Sequence, residues 1–310
     1  MRHNFSIGII GQGSQYKRIS KILKKRKISF FLYKTSKKEN YYNKESFEKL
    51  KKCNIIFILS PNKTHFNYIK LLKKNRYIFC EKPPVNNLRD LKELKKIDNR
   101  KIYFNFNFRF SKISEILSKI KKFNLKELLY ASIINGHGLG FKNEYVESWR
   151  SNKKLCKKGV FEIVSVHWLD LINYHFSVKK IKLLNLRNYL KKTKGIDNSY
   201  CKICLKNNSE LDVYSSYTSP LVKKIIFIFT NGIIEQNENY LEVRGPALNL
   251  DKNSFFKRPK LIKKLLINEK VDFNESLEKS VNYFLNHALK KKSFSKKIFN
   301  ISLNSNVLMF

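Results

Sequence analysis

The chain contains few cysteines, five in 310 residues. Their odd number, with no secretory leader ahead of them, predicts reduced thiols and a cytoplasmic protein. Cys201 and Cys204 form a Cys-x-x-Cys spacing, but they fall in an alternating, strand-like stretch where residues three apart point to opposite faces. No second Cys or His pair completes a zinc site, so we expect no bound metal.

The chain also lacks a long hydrophobic run. No apolar stretch approaches the roughly 20 residues that a membrane-spanning helix needs. The apolar segment from Phe5 to Ile10 is too short for the core of a signal peptide, and it leads directly into a glycine loop. We therefore expect no association with a membrane.

Acidic residues are scarce as well. The 24 Asp and Glu residues oppose 64 Lys and Arg residues, which gives a formal net charge of +40 and a pI near 10.0. Such a charge by itself favours a nucleic-acid partner. The lysines are dispersed, however, as pairs on what would be the polar faces of helices: Lys51-Lys52, Lys73-Lys74, Lys121-Lys122, Lys191-Lys192 and Lys263-Lys264. We interpret the charge as a solvated surface that reflects base composition, with no specific nucleic-acid partner.

Short apolar runs do recur through the first part of the chain, and amphipathic stretches separate them. The runs are Ile7 to Ile10, Ile28 to Tyr33, Ile55 to Leu59, Tyr77 to Cys80 and Ile102 to Phe106. This alternation predicts a parallel sheet with helices on both faces. Asn87 and Ser111 are predicted helix N-caps, and Leu88, Leu91 and Leu94 are predicted to form a buried stripe.

From about Leu128 onward the pattern changes to strands. The clearest strands are Leu211 to Tyr217 and Lys224 to Phe229, and Asn231-Gly232 is a strong hairpin signal. Helices are predicted near residues 160–174 and 277–288. A chain of this length suits two domains that each bury a core. We expect the boundary near residue 110, with domains over residues 1–110 and 111–310.

A glycine loop follows the first predicted strand. Gly11 permits a tight turn, and Gly13 lets the backbone approach a pyrophosphate at the N-terminus of the helix that begins near Ser14 and Gln15. Tyr16 stands where Gly or Ala is usual, so either the helix is displaced or the tyrosine turns outward. The stretch after the second strand, where an acid would hold the ribose of NAD, is basic and hydroxylated and favours NADP over NAD: Lys34, Thr35, Ser36, Lys37 and Lys38.

Three more motifs follow the next three predicted strands. They are Ser60-Pro61-Asn62-Lys63-Thr64-His65, then Glu81-Lys82-Pro83, then Asn105-Phe106-Asn107-Phe108-Arg109-Phe110. Further on come Trp149-Arg150 and a glycine-led helix that begins at Gly159 and carries His167-x-x-Asp170. In residues, order and spacing these motifs resemble the glucose-fructose oxidoreductase and inositol dehydrogenase (Gfo/Idh/MocA) family.

The resemblance covers nearly the whole chain and implies an NAD(P)-dependent oxidoreductase. Such a protein transfers a hydride between the nicotinamide and a carbinol carbon of a sugar, a cyclitol or a nucleotide-linked sugar. The implied fold class is α/β, with an N-terminal Rossmann-type doubly wound parallel sheet and a C-terminal α+β domain built on a mostly antiparallel, open-faced sheet. Homo-oligomers through that second sheet are also implied.

The resemblance also assigns roles to residues. Lys82 and His167 are the expected catalytic pair, with His167 accepting the hydroxyl proton and Lys82 hydrogen-bonding the same oxygen. The expected cofactor contacts are Gly11, Gly13, Ser14, Gln15, Lys34, Ser60, Asn62, His65, Glu81 and Lys82. The expected substrate contacts are Asn107, Arg109, Trp149, Arg150 and Asp170.

One departure from the family pattern concerns the carboxylate expected four residues before His167. That position is Ile163, and Glu162 lies about 100° away around a helix, so it does not substitute directly. Two alternatives therefore stay open: a cofactor-binding but catalytically weakened homologue that acts as a partner subunit or regulator, and, less favoured, a nucleic-acid-binding protein.

Overall fold

The computed structural model describes residues 5–34, 44–247 and 250–310. The first part of the chain forms a five-stranded parallel sheet in the order β2-β1-β3-β4-β5. Its strands are β1 (Ile7–Ile10), β2 (Phe31–Tyr33), β3 (Ile55–Ile58), β4 (Tyr77–Glu81) and β5 (Ile102–Asn105). The helices between them are α1 (Ser14–Lys25), α2 (Lys44–Lys51), α3 (His65–Leu72) and α4 (Leu88–Lys95). Every residue of β1, β3, β4 and β5 is buried, as expected for a sheet covered on both faces.

The local signals in this part are largely confirmed. Asn87 caps α4 by accepting a hydrogen bond from the Asp90 amide at 2.8 Å, and Leu91 and Leu94 are buried. The prediction for Leu88 is wrong, because the start of α4 is exposed and 53% of Leu88 remains accessible. β2 begins at Phe31 and not at Ile28.

The second sheet has eight strands in the order β13-β12-β11-β10-β6-β9-β8-β7, and the single parallel pair among its ladders is β6 with β9. Its strands are β6 (Leu128–Gly136), β7 (Val178–Arg187), β8 (Asn198–Leu205), β9 (Glu210–Ser216), β10 (Val222–Phe229), β11 (Gly232–Gln236), β12 (Tyr240–Arg244) and β13 (Leu261–Leu266). The predicted hairpin at Asn231-Gly232 joins β10 to β11. The expected α/β fold class is thus confirmed.

Helices accompany this second sheet and end the chain. They are α5 (Lys112–Leu117), α6 (Asn143–Val146), α7 (Val166–Phe176), α8 (Glu269–Leu289) and α9 (Lys296–Val307). Ser111 caps α5 as predicted, accepting from the Ser114 amide at 3.4 Å. Short 3-10 helices span Asn62–Thr64, Asn107–Phe110, Gly138–Phe141 and Trp149–Ser151, and a π-helical turn spans Phe161–Ser165 immediately before α7.

The chain divides into two compact units. The first comprises Met1–Asn107, Leu277–Leu308 and Phe310, and the second comprises Phe108–Ser276 and Met309. The sequence grouped residues 277–308 with the second part, whereas in the structure they cluster with the first unit. The reason is apolar packing: the Phe284 ring on α8 lies 5.2 Å from Phe57 and 5.3 Å from Phe79 on the parallel sheet.

Candidate active site

The carboxyl ends of the five parallel strands meet at one edge of the first sheet. Gly11 follows β1, Lys34 follows β2, Ser60 lies just beyond β3, Lys82 follows β4, and Asn107 lies just beyond β5. Neighbouring strands β1 and β3 are where the strand order reverses direction, and open parallel sheets bind ligands at such a switch point. The predicted cofactor-side residues therefore lie along the edge where binding is expected on topological grounds.

The glycine loop fits a dinucleotide pyrophosphate. Gly11 has φ of +96°, and a side chain there would place a Cβ 2.8 Å from the Leu59 carbonyl oxygen. A Cβ on Gly13 would meet no atom of the described residues within 4 Å, so that side of the loop is open. Gly13 caps α1 without any side-chain hydrogen bond, and Ser14, the first helical residue, is exposed. The first backbone amides of α1 are therefore available to bind an anion.

Tyr16 is accommodated at the side of α1. Its half-buried ring meets the edge of the Phe30 ring at 6.3 Å, and the buried face of the helix is made by Ile19, Ser20 and Leu23. Of the two alternatives for this position, the structure has the tyrosine turned away from the buried helix face. The irregular third position of the motif is compatible with a packed helix.

Glu81 anchors a buried hydrogen-bond network beside the loop. Its Oε1 accepts from Asn105 Nδ2 at 2.7 Å and from Gln15 Nε2 at 3.2 Å. Asn105 Oδ1 in turn accepts from Ser280 Oγ at 2.7 Å. Because Ser280 has one hydroxyl proton, the 2.8 Å contact with Tyr103 has the tyrosine as donor. Burial raises the pKa of Glu81, while the Asn105 hydrogen bond and Lys82 oppose that rise.

His65 holds two loops of the edge together. The ring is fully buried; Nδ1 lies 2.8 Å from the Pro83 carbonyl oxygen and Nε2 lies 2.9 Å from that of Ser60. Burial is the main cause that lowers the pKa of His65, and the positive charge of Lys82 lowers that pKa further. The expected direct contact of His65 with the cofactor does not fit this geometry. Both ring nitrogens face backbone carbonyls, and no part of the ring is exposed. His65 fixes the loop that carries Lys82.

The remaining first-unit predictions lie on the same loops. Ser60 and Asn62 are 7% and 8% exposed, and Ser60 Oγ contacts Thr64 Oγ1 at 2.6 Å. Lys82 is half-buried, and its peptide bond to Pro83 is cis. Lys34 is exposed just after β2, and Thr35, Ser36, Lys37 and Lys38 lie outside the described residues. Asn107 is 1% exposed.

Arg109 and Asp170 bind each other within the second unit. Arg109 Nε donates to Asp170 Oδ2 at 2.8 Å and Nη2 donates to Oδ1 at 2.6 Å, a bidentate pair whose side chains are 4% and 0% exposed. The expectation that both residues face a substrate is therefore corrected. Their charges are buried against each other, and the Arg109 guanidinium also lies 5.3 Å from the centre of the Tyr174 ring.

His167 lies on the first turn of α7, just after the π-helical turn. Its half-buried imidazole stacks on the Phe108 ring, with centroids 4.5 Å apart and planes 21° apart. Ile163, within the π-helical turn, packs against a buried apolar cluster of Tyr145, Val160 and Tyr217. The position of the expected carboxylate thus belongs to an apolar wall, and this environment was not apparent from the sequence.

Trp149 and Arg150 begin a short 3-10 helix in the same unit. Both are half-buried, and the Arg150 guanidinium lies 4.7 Å from the centre of the Trp149 ring.

Other kinds of site are not evident in the described residues. Within residues 5–34, 44–247 and 250–310, no three His, Cys, Asp or Glu side chains are grouped so as to hold a metal ion. All five cysteines are buried and unlinked, including Cys201 and Cys204 on β8. None of the helices described here is long and apolar enough to cross a membrane.

Comparison with known proteins agrees with this geometry. Residues 5–102 match the model of the Gfo/Idh/MocA family, described as an oxidoreductase family with an NAD-binding Rossmann fold. The predicted resemblance is confirmed. The match covers the glycine loop, the Asn62 and His65 motif and Glu81-Lys82-Pro83, and it confirms at family level a nicotinamide dinucleotide as cofactor. No curated protein sequence matches the chain.

Solved structures extend the Gfo/Idh/MocA fold over the whole chain. A dehydrogenase (MviM) from Clostridium difficile is 18% identical, with 99% of this chain and 98% of that chain covered and a TM-score of 0.71. An inositol dehydrogenase homologue from Azotobacter vinelandii, complexed with NAD+, is 15% identical over 99% and 94% of the chains, with a TM-score of 0.74. A levoglucosan dehydrogenase in complex with NADH is 14% identical over 99% and 96%, with a TM-score of 0.75. At these identities the likeness establishes the fold.

Several residues that surround the candidate site were not identified from the sequence. Ser280 and Tyr103, which complete the Glu81 network, belong to distant segments with no local motif. Tyr145 on α6 and Tyr217 just after β9, which pack against Ile163, were also missed, because a lone tyrosine carries no positional signal. Arg109 and Asp170 are 61 residues apart in the chain, so no local pattern predicts that they pair.

Proposed function

We propose that this protein is an NAD(P)-dependent dehydrogenase or reductase that acts on a CH–OH group of a sugar, a cyclitol or a nucleotide-linked sugar. The observation that carries the proposal is the open, uncapped glycine loop at the same sheet edge as the Glu81-anchored Lys82 loop. The levoglucosan and inositol dehydrogenase names of two structural neighbours support the polyol class.

The first unit supplies the grip on the cofactor. The α1 amides and the open face at Gly13 would hold the pyrophosphate, because a helix N-terminus favours negative charge. The cofactor supplies the hydride acceptor or donor when bound. Gln15 links α1 to Glu81, so the loop that binds phosphate and the loop that carries Lys82 are held by one network.

Lys82 would stabilise negative charge on the reacting oxygen. Its neighbour Glu81 is fixed by Asn105, and the backbone of Pro83 is fixed by His65, so the loop is held on both sides of the lysine. A positioned ammonium favours the developing alkoxide that forms as a hydroxyl loses its proton. His167, in the second unit, is the candidate acceptor for that proton, and stacking on Phe108 fixes its ring plane.

The cofactor preference is proposed to be NADP(H). Lys34 is exposed at the carboxyl end of β2, where an acidic residue would otherwise bind the ribose hydroxyls and reject a 2′-phosphate. Replacement of Lys34 by Glu should weaken NADP(H) binding more than NAD(H) binding in calorimetric titrations at fixed salt. Equal affinities of the unmodified protein for the two cofactors would contradict the preference.

Catalysis is tested by separating turnover from cofactor binding. Lys82→Ala and His167→Ala should each lower turnover by about 10² or more, as loss of a positioned proton-transfer group does. Cofactor affinity should change little, since the pyrophosphate grip lies at Gly11 and Gly13. Lys92→Ala, the loss of an exposed cation on α4, is the matched control. Unchanged turnover in both variants would contradict the assigned roles.

Homo-oligomers through the eight-stranded sheet stay a prediction. Exposed apolar side chains on its strands support it, among them Leu183 on β7 at 51% and Leu266 on β13 at 88%. Sedimentation equilibrium across a range of concentrations tests it, and a monomer at every concentration would contradict it.

A further inference from the structure

Two tyrosine hydroxyls in the second unit are buried without a hydrogen-bond partner. Tyr145 and Tyr217 are each 1% exposed, and their rings meet edge to face with centroids 5.6 Å apart. Neither hydroxyl oxygen hydrogen-bonds to any atom of the described residues. Buried polar groups in folded proteins are nearly always paired, so two neighbouring exceptions indicate that an atom from outside the chain completes them.

Arg150 follows Tyr145 in the chain, on the short 3-10 helix Trp149–Ser151. The Arg150 guanidinium stacks on Trp149, and no hydrogen bond or salt bridge joins it to another residue among those described. Its charge acts on both phenols: it lowers the pKa of Tyr145 and of Tyr217, although burial outweighs it in each case. The two phenol hydroxyls therefore lack an acceptor among the described residues, and a positive charge acts on both of them.

The phenols remain donors at neutral pH. Burial raises the pKa of Tyr145 to about 12 and raises that of Tyr217 as well. A protonated phenol donates a hydrogen bond, and a guanidinium has donors and no acceptor. The ligand group that these three side chains fit is therefore an acceptor with several lone pairs.

Carboxylates near the tyrosines are already engaged. Asp197 accepts hydrogen bonds from the amides of Tyr189 and Leu190 at 2.9 and 2.7 Å and from Asn198 Nδ2 at 2.8 Å. Glu162 interacts with the Cys156 thiol, whose pKa burial and this carboxylate raise. The side chain that packs against both tyrosines from the π-helical turn is the uncharged Ile163. Position 163 adds no negative charge, although the charge of Asp197 raises the pKa of Tyr145 and that of Glu162 raises the pKa of Tyr217.

We propose that Tyr145, Tyr217 and Arg150 bind a carboxylate or phosphate group on the substrate, so that the protein acts on acidic sugars. This inference rests on the proposed dehydrogenase function and narrows its substrate class. A guanidinium has parallel donors that match two oxygens of one carboxylate or phosphate. The two phenol hydroxyls can donate hydrogen bonds to the remaining lone pairs of those oxygens.

Binding is measured by the fluorescence of Trp149, which lies under the Arg150 guanidinium. The chain has two tryptophans, so Trp168→Phe leaves Trp149 as the sole reporter in the full-length protein. Glucuronate, glucose 6-phosphate and glucose are titrated at fixed, physiological salt. We expect at least one acidic sugar to bind 10-fold or more tightly than glucose, and the preferred one of the two identifies the group as carboxylate or phosphate.

The variants separate a built site from general attraction to a basic protein. In the same background, Tyr145→Phe, Tyr217→Phe and Arg150→Gln should each weaken acidic-sugar binding about 10-fold, as loss of a hydrogen bond to a charged group does. Glucose binding should be unchanged. Lys153→Gln, which removes one exposed charge close by in sequence, and Tyr189→Phe, at an exposed tyrosine, are the matched controls and should have no effect.

A second readout does not depend on ligand. Because Tyr217→Phe removes an unpaired buried hydroxyl, the ligand-free variant should have a Tm equal to or above that of the parent. A lower Tm would show that the hydroxyl is already satisfied, and would overturn the inference.

The failures of the two proposals are distinguishable. Turnover of neutral sugars with no preference for acidic ones, and no effect of the tyrosine variants, would overturn the anion site and leave the dehydrogenase function standing. Acidic-sugar binding that depends on Arg150, with no hydride transfer to or from any of these sugars, would support the anion site and contradict the dehydrogenase function.

Discussion

Separating Arg109 from Asp170 should destabilise the second unit strongly. The two hydrogen bonds, of 2.8 and 2.6 Å, join side chains that are 4% and 0% exposed, so either charge left alone would be buried without compensation. Removing one partner of such a pair costs about 3–5 kcal/mol in the free energy of unfolding. Arg109→Met and Asp170→Leu are each expected to lose an amount in that range.

The double variant is the informative one. Arg109→Met combined with Asp170→Leu leaves no unpaired charge, and replacement of a buried pair by apolar residues is often close to neutral. We expect the double variant to lose less than about 2 kcal/mol, far from the sum of the single losses. Urea unfolding followed by circular dichroism measures all four proteins, with the slope against urea required to stay constant.

An exposed ion pair provides the control. Arg258 and Glu235 lie 3.3 Å apart with side chains 62% and 34% exposed, and Arg258→Met should cost under about 1 kcal/mol. If Arg109→Met costs no more than this control, or if the two single losses simply add, the pair is not the buried unit described here. Both residues would then be available to a ligand, as the sequence suggested.

Three further predictions concern Ile163, Glu81 and His175. Ile163→Asp should lower the free energy of unfolding by about 2 kcal/mol and lower activity, because it places a carboxylate against Tyr145 and Tyr217. The control Ile163→Val should have only a small effect. A gain in activity for Ile163→Asp would mean that the natural chain is a weakened enzyme. Burial raises the pKa of Glu81, so the folded state binds the proton more tightly than the unfolded state, and stability declines as pH rises from 4.5 through the folded-state pKa. Glu81→Gln should remove that decline from the urea unfolding midpoints. The same pH profile in the variant and the parent would contradict this prediction. Burial, with Arg109, lowers the pKa of His175 from 6.5 to about 4, so the stability from the neutral ring is complete above 6.5 and is lost as pH falls toward 4, by up to about 3 kcal/mol. His175→Gln should abolish that loss and His287→Gln should not; the same acid profile in both would refute the assignment.

The parallel sheet and its binding edge were predictable because their signals are local. Each buried strand is a continuous apolar run, and Gly11 with its loop and the Glu81-Lys82-Pro83 motif follow such runs directly. The N-caps of α4 and α5 were predictable for the same reason, since a cap is formed by residues three apart.

What the sequence could not show depends on contacts between distant residues. The helix α9 was missed because its segment is rich in Asn and Ser, which are weak helix formers, and is stabilised by packing such as that of Phe299 on Phe104 at 5.6 Å. The Glu81 network needs Ser280 from α8, and Arg109 finds Asp170 across 61 residues. Composition and local spacing do not predict which distant residues will be in contact.

The environment of Ile163 was beyond the sequence for a different reason. A π-helical turn changes which residues share a helix face, and no residue type marks where one will form. An α-helical reading therefore placed Ile163 beside His167 as a missing carboxylate. The structure places it against two buried tyrosines, and that placement leads to the proposed anion site.

Hydride transfer between a nicotinamide dinucleotide and a carbinol carbon can be followed by deuterium labelling of the substrate. A panel of sugars and cyclitols, neutral and acidic, deuterated at the carbinol carbons, is incubated with the protein and NADP or NAD, and the nicotinamide is analysed by mass spectrometry. We expect deuterium to appear on the nicotinamide with the unmodified protein, and to appear about 10²-fold more slowly with Lys82→Ala. Tight cofactor binding with no deuterium transferred from any member of the panel would contradict it.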